Sequence, residues 1–274
     1  MTKLAASFVI ATYNRGYCIC SAIDSVLETF NNHAIAVETI VVDDFSTDKT
    51  EYIIRNKYAV ELQKGILKYI KLEVNRGVSG ARNVGASTAR SSWLIFLDSD
   101  DVLINNSGPQ VANELNKYVD KPIVFFRCID QNGQRVGTAY SEESQLINLK
   151  EFLQYGSKGE SLVAFSKTIF TQTPFEEELR GYEGLTIARI LKKTGESAVL
   201  SFVIARKYIQ TGDDRLSSGA GFAVRLHLIA RGHRLMVREF AKIMPFRVAF
   251  FYIVKSFAYE ITYYKNKMLD RVIK

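Results

Sequence analysis

Trp93-Leu94-Ile95-Phe96-Leu97-Asp98-Ser99-Asp100-Asp101 decides how the first half of the chain reads. Residues 93–97 are a short continuous apolar run, the pattern of a strand buried on both faces. The run ends abruptly in carboxylates at Asp98, Asp100 and Asp101. Two carboxylates separated by one residue can reach one hard cation. Mg²⁺ or Mn²⁺ takes one or two protein carboxylates, and substrate phosphates and water complete the shell. Such an ion holds a diphosphate and stabilises it as a leaving group. A D-x-D triplet alone is weak, because a helix cap or a solvated turn uses the same residues. The apolar strand directly before it strengthens the metal reading.

The same strand-then-polar pattern recurs outward from this segment. Residues 7–11 predict a strand ending in Thr12-Tyr13-Asn14, and residues 38–42 one ending in Asp43-Asp44. Residues 67–72 predict a third strand, followed by Asn75-Arg76-Gly77. Helical spacing lies between them, over residues 19–30, 48 to about 63, and 78–89. Ser46 or Thr47 is expected to cap the second of these helices, with Asp48 in its first turn. The alternation predicts an α/β domain with a mostly parallel central sheet flanked by helices. Ligands bind beyond the carboxyl ends of such strands. All four polar clusters sit at those ends, so one composite site is expected.

Each cluster also has a chemistry of its own. An acid at the end of the second strand can accept from a ribose hydroxyl or a base N–H. The segment from Asn75 to Gly85 places small residues and two arginines at a helix N-terminus, which suits a phosphate or a nucleotide edge. A tight turn with close helix–sheet packing explains the same glycines. They fit neither the G-x-G-x-x-G nor the P-loop spacing. Beyond residue 130 the pattern loosens. Strands are expected at 122–128, 162–165 and 198–205, a helix at 183–193, a hairpin through 134–140, and a polar loop at 211–221.

With 274 residues, 47% hydrophobic and 24% charged, the chain suits one large domain or a domain plus an appendage. That composition excludes a disordered chain, a collagen-like chain and a coiled-coil rod. Three cysteines, Cys18, Cys20 and Cys128, favour a reducing compartment over a disulfide framework. Cys18 and Cys20 lack the partner pair that zinc needs, and His33, His227 and His233 are scattered. Neither a secretory leader nor a membrane-spanning segment is expected, which implies a cytoplasmic location.

The net charge of +7 is unevenly spread. Residues 222–274 carry eleven Lys and Arg against three Asp and Glu, a net of +8, which leaves −1 for residues 1–221. That tail is rich in aromatics, with Phe246, Phe250, Phe251, Tyr252, Phe257, Tyr259, Tyr263 and Tyr264 in one stretch. Basic, aromatic amphipathic helices lie well on an anionic membrane surface. Covering the sheet, or a contact between two copies in a homodimer, explains the same tail. Nucleic acid is not an expected partner, because no reader motif is present. The division that results is an α/β domain at 1–221 and a basic, aromatic helical tail at 222–274.

The strings IATYNRG, VVDDFSTD, NRGVSGARNVG and LIFLDSDD follow one another at strand ends. Together they strongly resemble the family-2 glycosyltransferases, inverting enzymes of the GT-A fold that use nucleotide-diphospho-sugars. The resemblance is specific over residues 7–103, weakens through the middle and is lost in the tail. It implies that Ala11, Thr12 and Tyr13 line the nucleotide pocket and that Asp44 contacts the base. Arg76 and Arg82 would sit near the nucleotide, Asp98 near the ribose, Ser99 also in the donor site, and Asp100 on a Mn²⁺ or Mg²⁺ ion. The implied partners are a nucleotide-diphospho-sugar donor, UDP-linked, and a saccharide acceptor on a lipid-linked glycan. The implied setting is surface-polysaccharide synthesis at the inner face of a bacterial cytoplasmic membrane.

The family's general base is an acid, often within an E-D pair that opens a helix. The matching segment here keeps Glu183 but has Gly184 where the second acid is common. Glu183 is therefore the first candidate, with Glu178, Glu177 and Glu176 behind it. A helix N-terminal acid that merely favours the dipole is the plain alternative. The segment 210–217 resembles the family loop that closes over the diphosphate. It carries Arg215 where relatives often have His. Two other function classes remain open. A nucleotidyltransferase would need a Gly-rich activation loop, which ATYNRG does not supply. A non-catalytic sugar-nucleotide binder fits the missing second acid, and donor turnover separates it from an enzyme.

Overall fold

The computed structural model describes residues 4–31, 33–137, 142–208 and 219–272. Strands β1 (Ser7–Thr12), β2 (Glu38–Asp43), β3 (Leu67–Lys71) and β4 (Trp93–Asp98) form a parallel set in the order β3-β2-β1-β4. Both faces of these strands are covered. Helix α1 (Ile19–Asn31) lays Ile19, Ile23, Val26 and Phe30 against Phe8 and Ile10 on one face. Helix α4 (Gly77–Thr88) packs Ala81 and Ala86 against Val9, Ile40 and Val42 on the other. The α4 contact is close because position 85 has no side chain. A Cβ on Gly85 would stand 2.3 Å from a methyl of Val9.

The helix expected over 48–63 is two helices, α2 (Thr50–Lys57) and α3 (Ala59–Gln63). They part at Tyr58, whose buried hydroxyl donates to Asp24 (2.8 Å) and to the Cys20 carbonyl (3.0 Å). Neither Ser46 nor Thr47 caps α2. Ser46 Oγ accepts from the Asn14 N–H at 2.8 Å, and the Thr47 N–H donates to Asn14 Oδ1 at 2.8 Å. The loop after β2 is thereby tied to the end of β1. Asp48 Oδ1 takes the Thr50 N–H instead, at 2.9 Å.

The second half adds β5 (Asp101–Leu103), α5 (Gly108–Lys117), β6 (Ile123–Ile129), β7 (Gln145–Ile147), α6 (Leu149–Tyr155), β8 (Ser161–Ser166), α7 (Lys167–Gln172), α8 (Glu183–Thr194) and β9 (Ala198–Tyr208). The sheet continues β4-β8-β6-β9-β5, with β7 on β9. Here the pairing turns mixed: β8 is antiparallel to both neighbours, and β6 and β9 are parallel. The turn after β6 forms, with Asp130 Oδ1 accepting from Asn132 and Gln134 and a bridge from Ile129 to Arg135. The expected hairpin's end, residues 138–140, lies outside the described residues. Strand β9 runs three residues past the expected 205 and pairs with β5, which sets Arg206 opposite Leu103.

The tail folds as α9 (Gly219–Phe240) and α10 (Phe246–Val272). Met236, Phe240, Met244 and Ala249 join the same core as α4 and α8. The tail's inner side is thus continuous with the sheet's own packing. No helix among the described residues is long and apolar enough to cross a membrane.

Candidate active site

The carboxyl ends of β1, β2 and β4 face a cleft of about 1380 Å³. Every expected site residue except Arg76 lines it: Ala11, Thr12, Tyr13, Asp44, Arg82, Asp98, Ser99, Asp100 and Glu183. Thr12 Oγ1 is buried with no protein hydrogen-bond partner.

Asp44 also shapes the cleft wall. Its carboxylate accepts the backbone N–H groups of Arg76 (2.6 Å) and Gly77 (2.8 Å). Burial pushes this carboxyl above its ordinary value, against the pull of those two donors. The turn it holds needs glycine. Gly77 sits at φ +75°, and a Cβ there would lie 2.9 Å from Arg180 Cγ.

Arg76, expected near the nucleotide, is not among the residues that line the cleft. Its guanidinium makes a two-point pair with Glu177, the closest contact 2.7 Å, and it lines neither that cleft nor the chamber beside it. A carboxylate on the short 3₁₀ turn Glu177–Leu179 outcompetes open cleft for a planar cation. Arg180 lines the cleft instead, with Nη1 3.3 Å from Asn75 Oδ1. Nothing in the sequence distinguished Arg180 from its neighbours.

Arg82 is the hinge of the site. It is 8% exposed, donates from Nη1 to Glu183 Oε1 at 2.6 Å, and donates from Nη2 to Asp98. One buried guanidinium thus joins the candidate base at the start of α8 to the first acid of the D-x-D segment. The other candidate acids are engaged elsewhere: Glu176 with Arg189 at 2.8 Å, Glu177 with Arg76, and Glu178 with Arg231 at 2.5 Å. A Cβ on Gly184 would meet nothing within 4 Å, so sterics do not exclude the second acid there.

Asp100 has Arg15 Nη1 3.6 Å away. Among the described residues no group of three or more His, Cys, Asp or Glu could by itself hold a metal ion. The oxygen-only donors Asp98 and Asp100, in a cleft roomy enough for a diphosphate, fit Mg²⁺ or Mn²⁺. They do not fit zinc.

Arg206 went unforeseen. It is 5% exposed, with Nη1 3.3 Å from Asp101 and 3.6 Å from Asp98, and Nη2 3.6 Å from Glu160. Its Nε donates to Cys128 Sγ at 3.1 Å. It clamps the corner between β4 and β5 that presents Asp100. A longer reading of β9 was the only signal available, and an inward arginine looks the same in sequence as an outward one.

A second chamber of about 880 Å³ opens beside the first. The two share Arg82, Asp98, Glu160, Gly181, Tyr182 and Glu183. Aromatic side chains including Phe125, Phe152, Phe175 and Tyr252 line the second chamber. His233 lies there too, and burial pushes it down to about 4, so the ring is neutral at pH 7. Arg215 and the rest of the 210–217 loop lie outside the described residues.

The model of the family described as Glycosyl transferase family 2 matches residues 7–177. The chain belongs to that family. This glycosyltransferase is 33% identical over 212 residues to the UDP-Glc:alpha-D-GlcNAc-diphosphoundecaprenol beta-1,3-glucosyltransferase WfgD of Escherichia coli, covering 76% of this chain and 78% of that protein. It is 27% identical over 227 residues to the GalNAc(5)-diNAcBac-PP-undecaprenol beta-1,3-glucosyltransferase of Campylobacter jejuni, covering 80% and 69%. The crystal structure of S. aureus TarS 1-349 in complex with UDP-GlcNAc shares its fold, with a TM-score of 0.69 at 20% identity, covering 94% of this chain and 73% of that one.

Proposed function

We propose that this glycosyltransferase moves a sugar from a UDP-linked donor to a hydroxyl of a saccharide carried on a lipid diphosphate, with inversion at the anomeric carbon. One observation carries the reading: Arg82 brings Glu183 and Asp98 together where the two chambers meet. The first chamber takes the donor and the second the acceptor. Glu183 Oε1 is held by Arg82, while Oε2 has no hydrogen-bond partner among the described residues. Oε2 accepts the acceptor's hydroxyl proton as that oxygen attacks from the face opposite the diphosphate. Asp100, with Asp98 beside it, would hold Mg²⁺ or Mn²⁺, whose contribution when bound is to neutralise charge on the departing diphosphate. Thr12, Tyr13 and Asp44 line the nucleoside end. The named lipid-diphosphate substrates of the two relatives support the acceptor class.

Thermal stability tests the donor assignment. UDP with Mn²⁺, at a hundredfold excess over its dissociation constant, is expected to add about 2.7 kcal/mol, or roughly 5–10 °C in midpoint. GDP, CMP and dTDP serve as comparisons. Asp100→Ala should lose the metal-dependent part of the shift. No shift with any nucleotide, with or without metal, would sink the reading in favour of a degenerate scaffold.

The tail serves the same chemistry by resting on the membrane that carries the acceptor. Phe246, Phe250, Ile253, Phe257, Ile261, Tyr264 and Met268 are exposed on α10 at spacings of three and four, which makes one apolar stripe. The net charge of +8 on residues 222–274 supports an anionic surface as its partner. The full chain should float with phosphatidylglycerol vesicles, and Phe250→Ser with Phe257→Ser should cut partitioning by more than about tenfold. Equal, negligible binding by both proteins would remove the membrane assignment.

A further inference from the structure

The second chamber carries a charge pattern that the transfer step does not use. Its catalytic end holds Arg82 and Arg206, each already facing carboxylates. Its far wall is α10, which contributes Arg247, Phe251, Tyr252 and Lys255. Arg247 and Lys255 make no ion pair among the described residues. Lys255 Nζ instead lies 4.4 Å from the Phe251 ring centre, on the apolar side chain between the two cations. Residues 247, 251 and 255 are four apart, so they follow one face of the helix, and the Cα atoms of Arg247 and Lys255 are about 12 Å apart along its axis, within reach of one another's long side chains. The nearby His233, pushed down to about 4 by burial, is neutral and adds no third positive charge. This face borders the exposed stripe that begins at Phe246 and Phe250. Carboxylates at one end, aromatic walls between and two unneutralised cations at the other end describe a pocket for a saccharide with an anionic group on its far side.

We infer that Arg247 and Lys255 bind the diphosphate that joins the acceptor saccharide to its lipid. The inference rests on the acceptor class proposed above and assigns the residues that read it. The saccharide lies against Phe152, Phe175 and Tyr252 with its reacting hydroxyl at Glu183. The diphosphate emerges between Arg247 and Lys255, where a lipid chain can pass directly to the apolar stripe of α10. The two cations select a diphosphate-linked saccharide over the same saccharide on a neutral aglycone.

Binding measured by calorimetry without membranes tests this on the full chain. The probes are N-acetylglucosaminyl diphosphate bearing a short alkyl chain and the matched neutral alkyl N-acetylglucosaminide. Arg247→Ala with Lys255→Ala is expected to weaken the diphosphate probe at least tenfold and the neutral glycoside less than twofold. Lys265→Ala removes a charge from the exposed surface of α10 outside the chamber lining, and it should weaken neither probe. Equal binding of the two probes by the unsubstituted protein, or equal losses for both in the double variant, would overturn the inference. So would an effect of the double variant seen only when anionic vesicles are present, because the cations would then serve phospholipid headgroups. UDP-dependent stabilisation, measured on the same samples, separates this outcome from failure of the donor reading, since Arg247 and Lys255 do not line the donor cleft.

Discussion

Glu183→Gln is expected to lower sugar transfer by about 10²–10⁴-fold while UDP binding persists. The substitution keeps size and hydrogen-bonding reach but removes the group that takes the proton. Arg82 remains, since Asp98 still faces it, so the donor side of the site stays assembled. The loss should fall on kcat, because the proton moves only in the transition state. The comparison needed is kcat for transfer beside the dissociation constant for UDP in both proteins. Transfer within tenfold of the unsubstituted enzyme would move the base elsewhere. Glu160 would then be the first acid to examine, because it lines both chambers.

Arg206→Met should cost about 3–5 kcal/mol of stability, the penalty for breaking a buried ion pair from one side. The residue is 5% exposed and faces Asp101, itself 2% exposed. Methionine fills much of the volume but leaves the Asp101 charge buried without its guanidinium. Adding Asp101→Asn should return most of the loss, because a neutral buried pair carries no uncompensated charge. Urea unfolding of the four proteins of this cycle gives the coupling directly. Additive losses, or a single-variant cost under about 1 kcal/mol, would show that the clamp contributes little. The single variant should also bind UDP with Mn²⁺ more weakly, since Arg206 braces the corner carrying Asp100.

The first half of the fold was legible because each element satisfies its own neighbours. Residues 8–11, 40–42 and 93–97 are short continuous apolar runs, and a run buried on both faces leaves that mark in any sequence. The polar clusters were legible for the same reason, since residues that break an apolar run must lie at a strand end. The capping expectation for Ser46 and Thr47 failed because Asn14, thirty-two residues earlier than Ser46, competes for both. Local capping rules do not include a partner from another loop. The pairing of Arg76 was illegible for the same reason. Its partner Glu177 lies 101 residues away, and only folding brings the two together.

The sequence by itself determined the strand–helix alternation, the acids at the end of β4 and the basic aromatic character of the tail. These are properties of single segments, set by hydrophobic period and local charge. Tertiary structure alone decided which charges meet: Arg82 with Glu183 and Asp98, Arg206 with Asp101, and α10 against the second chamber. Each joins segments far apart in the chain. Its energy depends on distance and burial, and neither quantity exists until the sheet has closed and the tail has packed upon it.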